Sequence, residues 1–232
     1  MGADAEVYKK QAAERAAELV ESGMVVGLGH GSTALVAVRR IGDLMHEGRI
    51  KDIVGVPCSK FIEAEAGRLG IALTNLEVHP DVDLTIDGAD EVAPNFDLIK
   101  GGGGALLREK IVAQASKREI IVVDESKLSP KLGTRFAVPV EVVPFGWSLE
   151  MKFLTALGAE VELRVGSGGR PFETDQGNLL LDADFGPIGN AAALAVELDA
   201  RAGIVGHGLF LGLATDVIVA GPQGLRHLKA GG

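Results

Sequence analysis

The segment Lys100-Gly-Gly-Gly-Gly104-Ala-Leu-Leu-Arg-Glu109-Lys110 sets a lysine and four glycines ahead of a carboxylate. Read as a helix, the stretch after the glycines places Glu109 on one stripe with Ala105, Leu106, Val112 and Ala113, while Arg108 and Lys110 project elsewhere. A carboxylate along an apolar face is costly unless it is paired or used. Partial desolvation would raise its pKa toward the working range of a general base, although nearby lysines and the helix start pull the other way. Two readings stand: Glu109 is a base, or it is an ion-pair partner of Lys100 or Arg108. The glycines Gly101, Gly102 and Gly103 let backbone amides come close to a ligand, and a helix start favours negative charge there.

A second group of carboxylates ends an apolar run in Asp83-Leu-Thr-Ile-Asp87-Gly88-Ala89-Asp90-Glu91. At the carboxyl end of a parallel strand, such residues face the crevice where open sheets bind ligands. An Asx turn capped by Asp87, a solvated acidic loop, and a Mg²⁺ site using Asp87, Asp90 and Glu91 are the other readings. Upstream, Gly27-Leu-Gly-His30-Gly31-Ser32-Thr33 joins a strand to a helix, so free amides and the Ser32 and Thr33 hydroxyls can hold a phosphate. A dinucleotide fingerprint fits poorly: its third glycine falls at Ser32, and Pro57, Cys58 and Ser59 stand where an acidic ribose ligand is wanted. A plain tight turn remains open. Downstream, Asp124-Glu-Ser-Lys127 ends another strand and offers a cation to an anion at the same edge. His46, His79, His207 and His227 show no metal spacing, and no metal site is expected.

These segments need a scaffold that brings several strand ends to one edge, and the chain alternates accordingly. Helical stripes at 4–20, 34–45, 59–69 and 103–116 are interleaved with apolar runs at 24–28, 53–56, 71–74, 82–86 and 120–123. This predicts a doubly wound, mostly parallel Rossmann-like α/β sheet. After Asp124 prolines become frequent, and extended runs at 137–143, 159–165 and 178–183 mix with helical stretches at 147–157 and 189–200. A smaller α+β domain of split βαβ, ferredoxin-like type follows. The run 216–220 reads as a buried strand that rejoins the first sheet. The expected division is 1–129 plus 206–232 for the catalytic domain and 130–205 for the small one.

Composition excludes several classes. With 232 residues, 47% hydrophobic and only 4% aromatic, the chain builds its core from Val, Ile, Leu and Ala, as buried parallel strands do. A net charge of -9 leaves no basic stripe for nucleic acid. The single Cys58 allows neither an intrachain disulfide nor a cysteine metal cluster, which fits a reducing compartment. No apolar leader and no run of about 18 apolar residues is present, so no membrane partner is expected and the cytoplasm is the default address.

Taken together, Gly-His-Gly-Ser-Thr-Ala (29–34), Asp-Gly-Ala-Asp-Glu (87–91), Lys-Gly-Gly-Gly-Gly-Ala-Leu-Leu-Arg-Glu-Lys (100–110) and Asp-Glu-Ser-Lys (124–127) resemble the type A ribose-5-phosphate isomerases, from the first helix to the last strand. The resemblance implies a cofactor-free interconversion of ribose 5-phosphate and ribulose 5-phosphate through an enediolate, in the pentose phosphate pathway, by a homodimer or homotetramer. It implies Glu109 as the proton acceptor, Lys100 and the glycine amides on the developing oxyanion, and Asp87 in ring opening. Asp90 would orient hydroxyls. Ser32, Thr33 and Lys127, with Lys9 or Lys10, would bind the phosphate. The family pattern usually has Thr at position 30, so His30 is expected to contribute its backbone amide. Amino-sugar phosphate deaminases and coenzyme A transferases share the fold, and a sugar-phosphate sensor that lost its chemistry is the non-enzymatic alternative. The Lys100 to Glu109 segment favours the isomerase.

Overall fold

The computed structural model describes residues 2–230. In chain order it forms α1 (Gly2–Ala17), β1 (Val25–Leu28), α2 (Ser32–His46), β2 (Val54–Pro57), α3 (Lys60–Arg68), β3 (Ala72–Leu73) and β4 (Leu84–Asp87). Next come β5 (Glu91–Val92), β6 (Leu98–Ile99), α4 (Leu106–Ala115), β7 (Glu119–Asp124), β8 (Val138–Val142), α5 (Trp147–Ala156), β9 (Glu160–Leu163) and β10 (Leu179–Asp184). The chain ends with α6 (Ala191–Asp199), β11 (Ile204–His207), β12 (Leu209–Phe210), β13 (Asp216–Gly221) and β14 (Gly224–Lys229). Two compact units result: Met1–Ala89, Arg108–Lys127 and Gly212–Gly232 in the first, Asp90–Leu107 and Leu128–Leu211 in the second.

The first unit is a seven-stranded sheet in the order β14-β13-β7-β4-β1-β2-β3, parallel except where β14 pairs antiparallel with β13. The central strands are buried on both faces, which is why β7 and β13 carry the continuous apolar runs 120–123 and 217–220, while β4 alternates Leu84 and Ile86 with the buried Thr85 and Asp87. Ala12, Ala13, Ala16 and Ala17 of α1 are fully buried against this sheet. Their small side chains let the helix lie close to β7 and β13. Strand order reverses between β1 and β4, which opens a crevice at their carboxyl ends. The expected return of 216–220 to this sheet is observed as β13. The β14 hairpin partner was not expected, because Leu225, Arg226, His227 and Leu228 lie on an exposed or half-buried edge with no core periodicity.

In the second unit β8, α5, β9, β10, α6 and β11 form a βαββαβ unit whose sheet, in the order β11-β8-β10-β9, is antiparallel throughout. This is the ferredoxin-like arrangement. Val138, Val140, Val142, Leu181 and Ala183 meet Leu154 of α5 and Leu198 of α6 in its core. Asn190 starts α6 by accepting a hydrogen bond from the Ala193 amide at 3.0 Å. A three-stranded sheet, β12-β6-β5, also belongs to this unit. Residues 90–107 therefore group with the second unit, not with the first as the alternation of strand and helix suggests. β5 and β6 are two residues each, too short to show a period, and they pair with the distant β12.

Candidate active site

In the first unit, the β1–α2 loop and the end of β4 are locked together. The Gly29 amide donates to the Ile86 carbonyl at 3.0 Å, and a Cβ at Gly29 would lie 2.4 Å from both that oxygen and Asp87 Oδ1. Only glycine permits this approach. Asp87 is fully buried, and its Oδ1 accepts the His30 amide at 3.0 Å and the Gly88 amide at 2.7 Å. Gly31, at φ 107°, turns the chain into α2, whose start has no side-chain cap. The amides of Ser32, Thr33 and Ala34 thus open the helix without intrahelical acceptors, beside the Ser32 and Thr33 hydroxyls.

His30 departs from expectation. Its amide, read from the sequence as available to a ligand, is donated to Asp87. Its ring is held as well: Nδ1 lies 2.9 Å from Ser59 Oγ, which also accepts the Ile62 amide at 3.1 Å to cap α3. Phe61 meets the ring edge-on, with centroids 6.1 Å apart. Ser59 and Phe61 carry no sequence signal for this role, since only the fold brings α3 beside the loop.

Glu109 lies in the first turn of α4 with 4% of its surface exposed. Val112, one turn on, sits in the space a side chain at Gly27 would fill. Further along, Ser116 Oγ bonds Thr85 Oγ1 at 2.6 Å and the Val112 carbonyl at 2.7 Å, which ties the end of the helix to β4. The stripe read from the sequence is therefore a sheet-facing stripe. At the end of β7, Asp124 Oδ1 caps the Ser126 amide at 2.9 Å and starts the turn that carries the half-buried Lys127. Gly88 and Ala89 follow Asp87 in the same unit. Lys9 is engaged at the surface with Glu6.

Asp90, Lys100, Gly101, Gly102 and Gly103 belong to the second unit. There Asp90 Oδ2 accepts the Gly102 amide at 2.7 Å, and Arg164, paired with Asp182, donates to the Gly101 and Gly102 carbonyls at 2.8 and 3.2 Å. Gly101, at φ 107°, requires glycine. The Lys100 amide bonds the Gly208 carbonyl at 2.9 Å, and its side chain, 1% exposed, holds its ammonium 5.4 Å from the centre of the Phe210 ring. Arg164 and Phe210 were not legible as site residues, lying 62 and 110 positions from Gly102 and Lys100 in the chain.

The Mg²⁺ reading of the acidic cluster does not hold. Glu91 is fully buried with its carboxylate accepting the amides of Gly133, Thr134 and Arg135 at 2.9 to 3.2 Å, a bond set that secures a loop. Among the described residues no group of three or more His, Cys, Asp or Glu side chains could hold a metal ion. Other carboxylates serve the scaffold. For Asp216, burial raises the pKa, yet hydrogen bonds from Thr215, Arg118 and His227 outweigh it and hold the group below its usual range. Asp83 is lowered by Lys117 at 2.7 Å and by the Val25 amide.

The chain matches the family model of ribose 5-phosphate isomerase A (phosphoriboisomerase A) over residues 54–224. It is 60% identical to the ribose-5-phosphate isomerase A of Chloroflexus aurantiacus, covering 96% of this chain and 93% of that one. Against that of Desulfatibacillum aliphaticivorans the identity is 59%, over 97% and 98%. Among solved structures, ribose 5-phosphate isomerase from Plasmodium falciparum superposes with a TM-score of 0.94 at 38% identity, covering 98% of this chain and 100% of that one. A D-ribose-5-phosphate isomerase in complex with phospho-erythronic acid gives 0.95 at 38% identity, over 97% and 99%. Agreement of this extent, in sequence and in fold, places the chain in the ribose 5-phosphate isomerase A family.

Proposed function

We propose that this chain interconverts D-ribose 5-phosphate and D-ribulose 5-phosphate by proton transfer, without a cofactor, in the non-oxidative branch of the pentose phosphate pathway. The observation that carries the reading is Glu109: a carboxylate 4% exposed, in the first turn of a helix seated on the parallel sheet. In the open aldose its carboxylate takes the proton from C2. Electrons of the C–H bond form the enediolate, the proton is returned at C1, and a second proton passes from O2 to O1. Burial excludes competing water and fixes the base where a C–H proton must be met.

From the second unit, Lys100 and the amides of Gly101, Gly102 and Gly103 stabilise the developing oxyanion, and Asp90 orients hydroxyls while it holds Gly102. From the first, Asp87 assists ring opening, with Gly88 and Ala89 contributing backbone contacts. Gly31, Ser32, Thr33 and Lys127 take the phosphate, and His30 acts by bracing the loop. Binding energy from the phosphate, remote from the reacting carbons, positions the sugar. A relative solved with phospho-erythronic acid, a sugar-acid phosphate, supports this substrate class. No observation favours the sensor or the amino-sugar phosphate alternative.

The same reading makes the chain a cytoplasmic homodimer or homotetramer. No helix among the described residues is long and apolar enough to cross a membrane.

The test is turnover of ribose 5-phosphate beside aldose phosphates of four and six carbons, with and without EDTA. The expected result is a kcat/KM at least about 10⁴-fold higher for the five-carbon substrate than for the four-carbon one, the scale at which a site that hydrogen-bonds a hydroxyl rejects an analogue lacking it, and unchanged by chelator. Equal turnover of all three, or activity lost to EDTA and regained with Mg²⁺, would overturn the reading.

A further inference from the structure

In the second unit, Gly101 to Gly104 form a tight turn: the Gly104 amide donates to the Gly101 carbonyl at 3.0 Å, with Gly102 and Gly103 at the two exposed corners. Type I and type II turns differ by a reversal of the peptide between the corners, and type II needs a positive φ at the third residue, here Gly103. Glycine takes either sign of φ at similar cost, so the turn residues do not themselves choose. The turn is of type I, since φ is positive at Gly101 and Gly104 and at neither corner.

The choice is made from outside. Arg164, directly after β9, is fixed by Asp182 of β10, whose carboxylate accepts Nε at 2.9 Å and Nη2 as well. The remaining nitrogen, Nη1, donates to the Gly101 carbonyl at 2.8 Å and to the Gly102 carbonyl at 3.2 Å. In a trans peptide the N–H points opposite to the C=O, so the two amides that follow these carbonyls face away from Arg164. The Gly102 amide is met there by Asp90 Oδ2 at 2.7 Å. The Gly103 amide is exposed and donates no hydrogen bond among the described residues. We propose that Arg164, held by Asp182, is a positioning residue, which keeps the turn in its type I form and so aims the Gly103 amide at the developing oxyanion. A reversed peptide would present the Gly102 carbonyl in its place, a dipole of the wrong sign for that charge.

The proposal rests on the isomerase reading and, of the two corner amides, assigns the oxyanion to Gly103. Arg164→Met keeps the aliphatic stem without the donors, and Asp182→Asn keeps the shape without the charge. Both are compared with wild type in turnover of ribose 5-phosphate and in inhibition by two probes, with thermal melting as the check on folding. Phospho-erythronic acid carries a carboxylate where the enediolate oxygens form, whereas inorganic phosphate reports only the phosphate loop. The expected result is a kcat about 10- to 100-fold lower in Arg164→Met and about 3- to 10-fold lower in Asp182→Asn, with KM nearly unchanged. The inhibition constant of phospho-erythronic acid should rise as kcat falls, and that of inorganic phosphate should stay level. Asp182→Asn carries the test if Arg164→Met fails to fold. A wild type that does not turn over ribose 5-phosphate would remove the isomerase reading and this role with it. An active wild type whose folded variants keep kcat, or lose it together with phosphate affinity, would leave the isomerase reading standing and overturn the role of Arg164.

Discussion

Two glycine loops carry the proposed chemistry, and each is braced by a carboxylate from the same acidic motif. After β1, Asp87 accepts two amides from the chain around it. After β6, Asp90 accepts the Gly102 amide, and Arg164, directly after β9, donates to the neighbouring carbonyls. The first loop is thus secured within one sheet by adjacent strands, the second by residues gathered over a long stretch of chain. In the first, one carboxylate is both brace and proposed reactive group. In the second, bracing falls to Asp90 and Arg164 while Lys100 carries the charge. Damage to the first loop should therefore cost chemistry and structure together, whereas damage to the second should separate them.

Asp87→Ala removes brace and reactive group together and is expected to lower kcat/KM by about 1,000-fold or more, with two buried amides left unsatisfied. Loss confined to kcat, with unchanged thermal stability, would show that the brace is unimportant. Gly29→Ala forces a methyl group into Asp87 and the Ile86 carbonyl, and denaturant titration should show destabilisation of about 3 kcal/mol. A near-neutral result would mean that the loop can shift away from β4 without cost.

Arg164→Ala is the counterpart in the second loop. It is expected to lower kcat/KM by about 10- to 100-fold, through about 1.5–3 kcal/mol of charged hydrogen bonds. Affinity for the phosphate group should be nearly unchanged, because that group is proposed to bind the first loop. An equal loss in phosphate affinity would erase the distinction. Asp83, away from both loops, sets the baseline. Its folded pKa is depressed, so its contribution is present above the unfolded value near 3.8 and is lost as pH falls through the lower folded value. Asp83→Asn should cost about 0.5–1 kcal/mol at pH 7, and the difference from wild type should vanish below that window while activity at pH 7 stays intact.

Legibility in the sequence follows the same division. Strands buried on both faces, such as β7 and β13, announce themselves as apolar runs, and the strand-turn-helix rhythm places Asp87 and the β1–α2 loop at one sheet edge. The stripe holding Glu109 was readable because a helix of 3.6 residues per turn puts it with Val112. The two-residue strands β5, β6 and β12 have no period to read, so the grouping of residues 90–107 was missed. Ser59 against His30, Arg164 against Gly101, and Glu91 against the amides of 133–135 are contacts across 29, 63 and 42 to 44 positions. No local pattern encodes them. The acidic motif invited a metal reading because residue types show which oxygens are present and not which amides reach them.

The central claim is that Glu109 moves a proton between neighbouring carbons, and one measurement bears on it most directly: turnover of ribose 5-phosphate in D₂O by wild type and Glu109→Gln. The account predicts solvent deuterium at C1 of the ketose formed by the wild type, and a kcat about 1,000-fold lower in the variant with substrate affinity largely retained. Near-normal turnover by Glu109→Gln, or wild-type product free of deuterium, would contradict it.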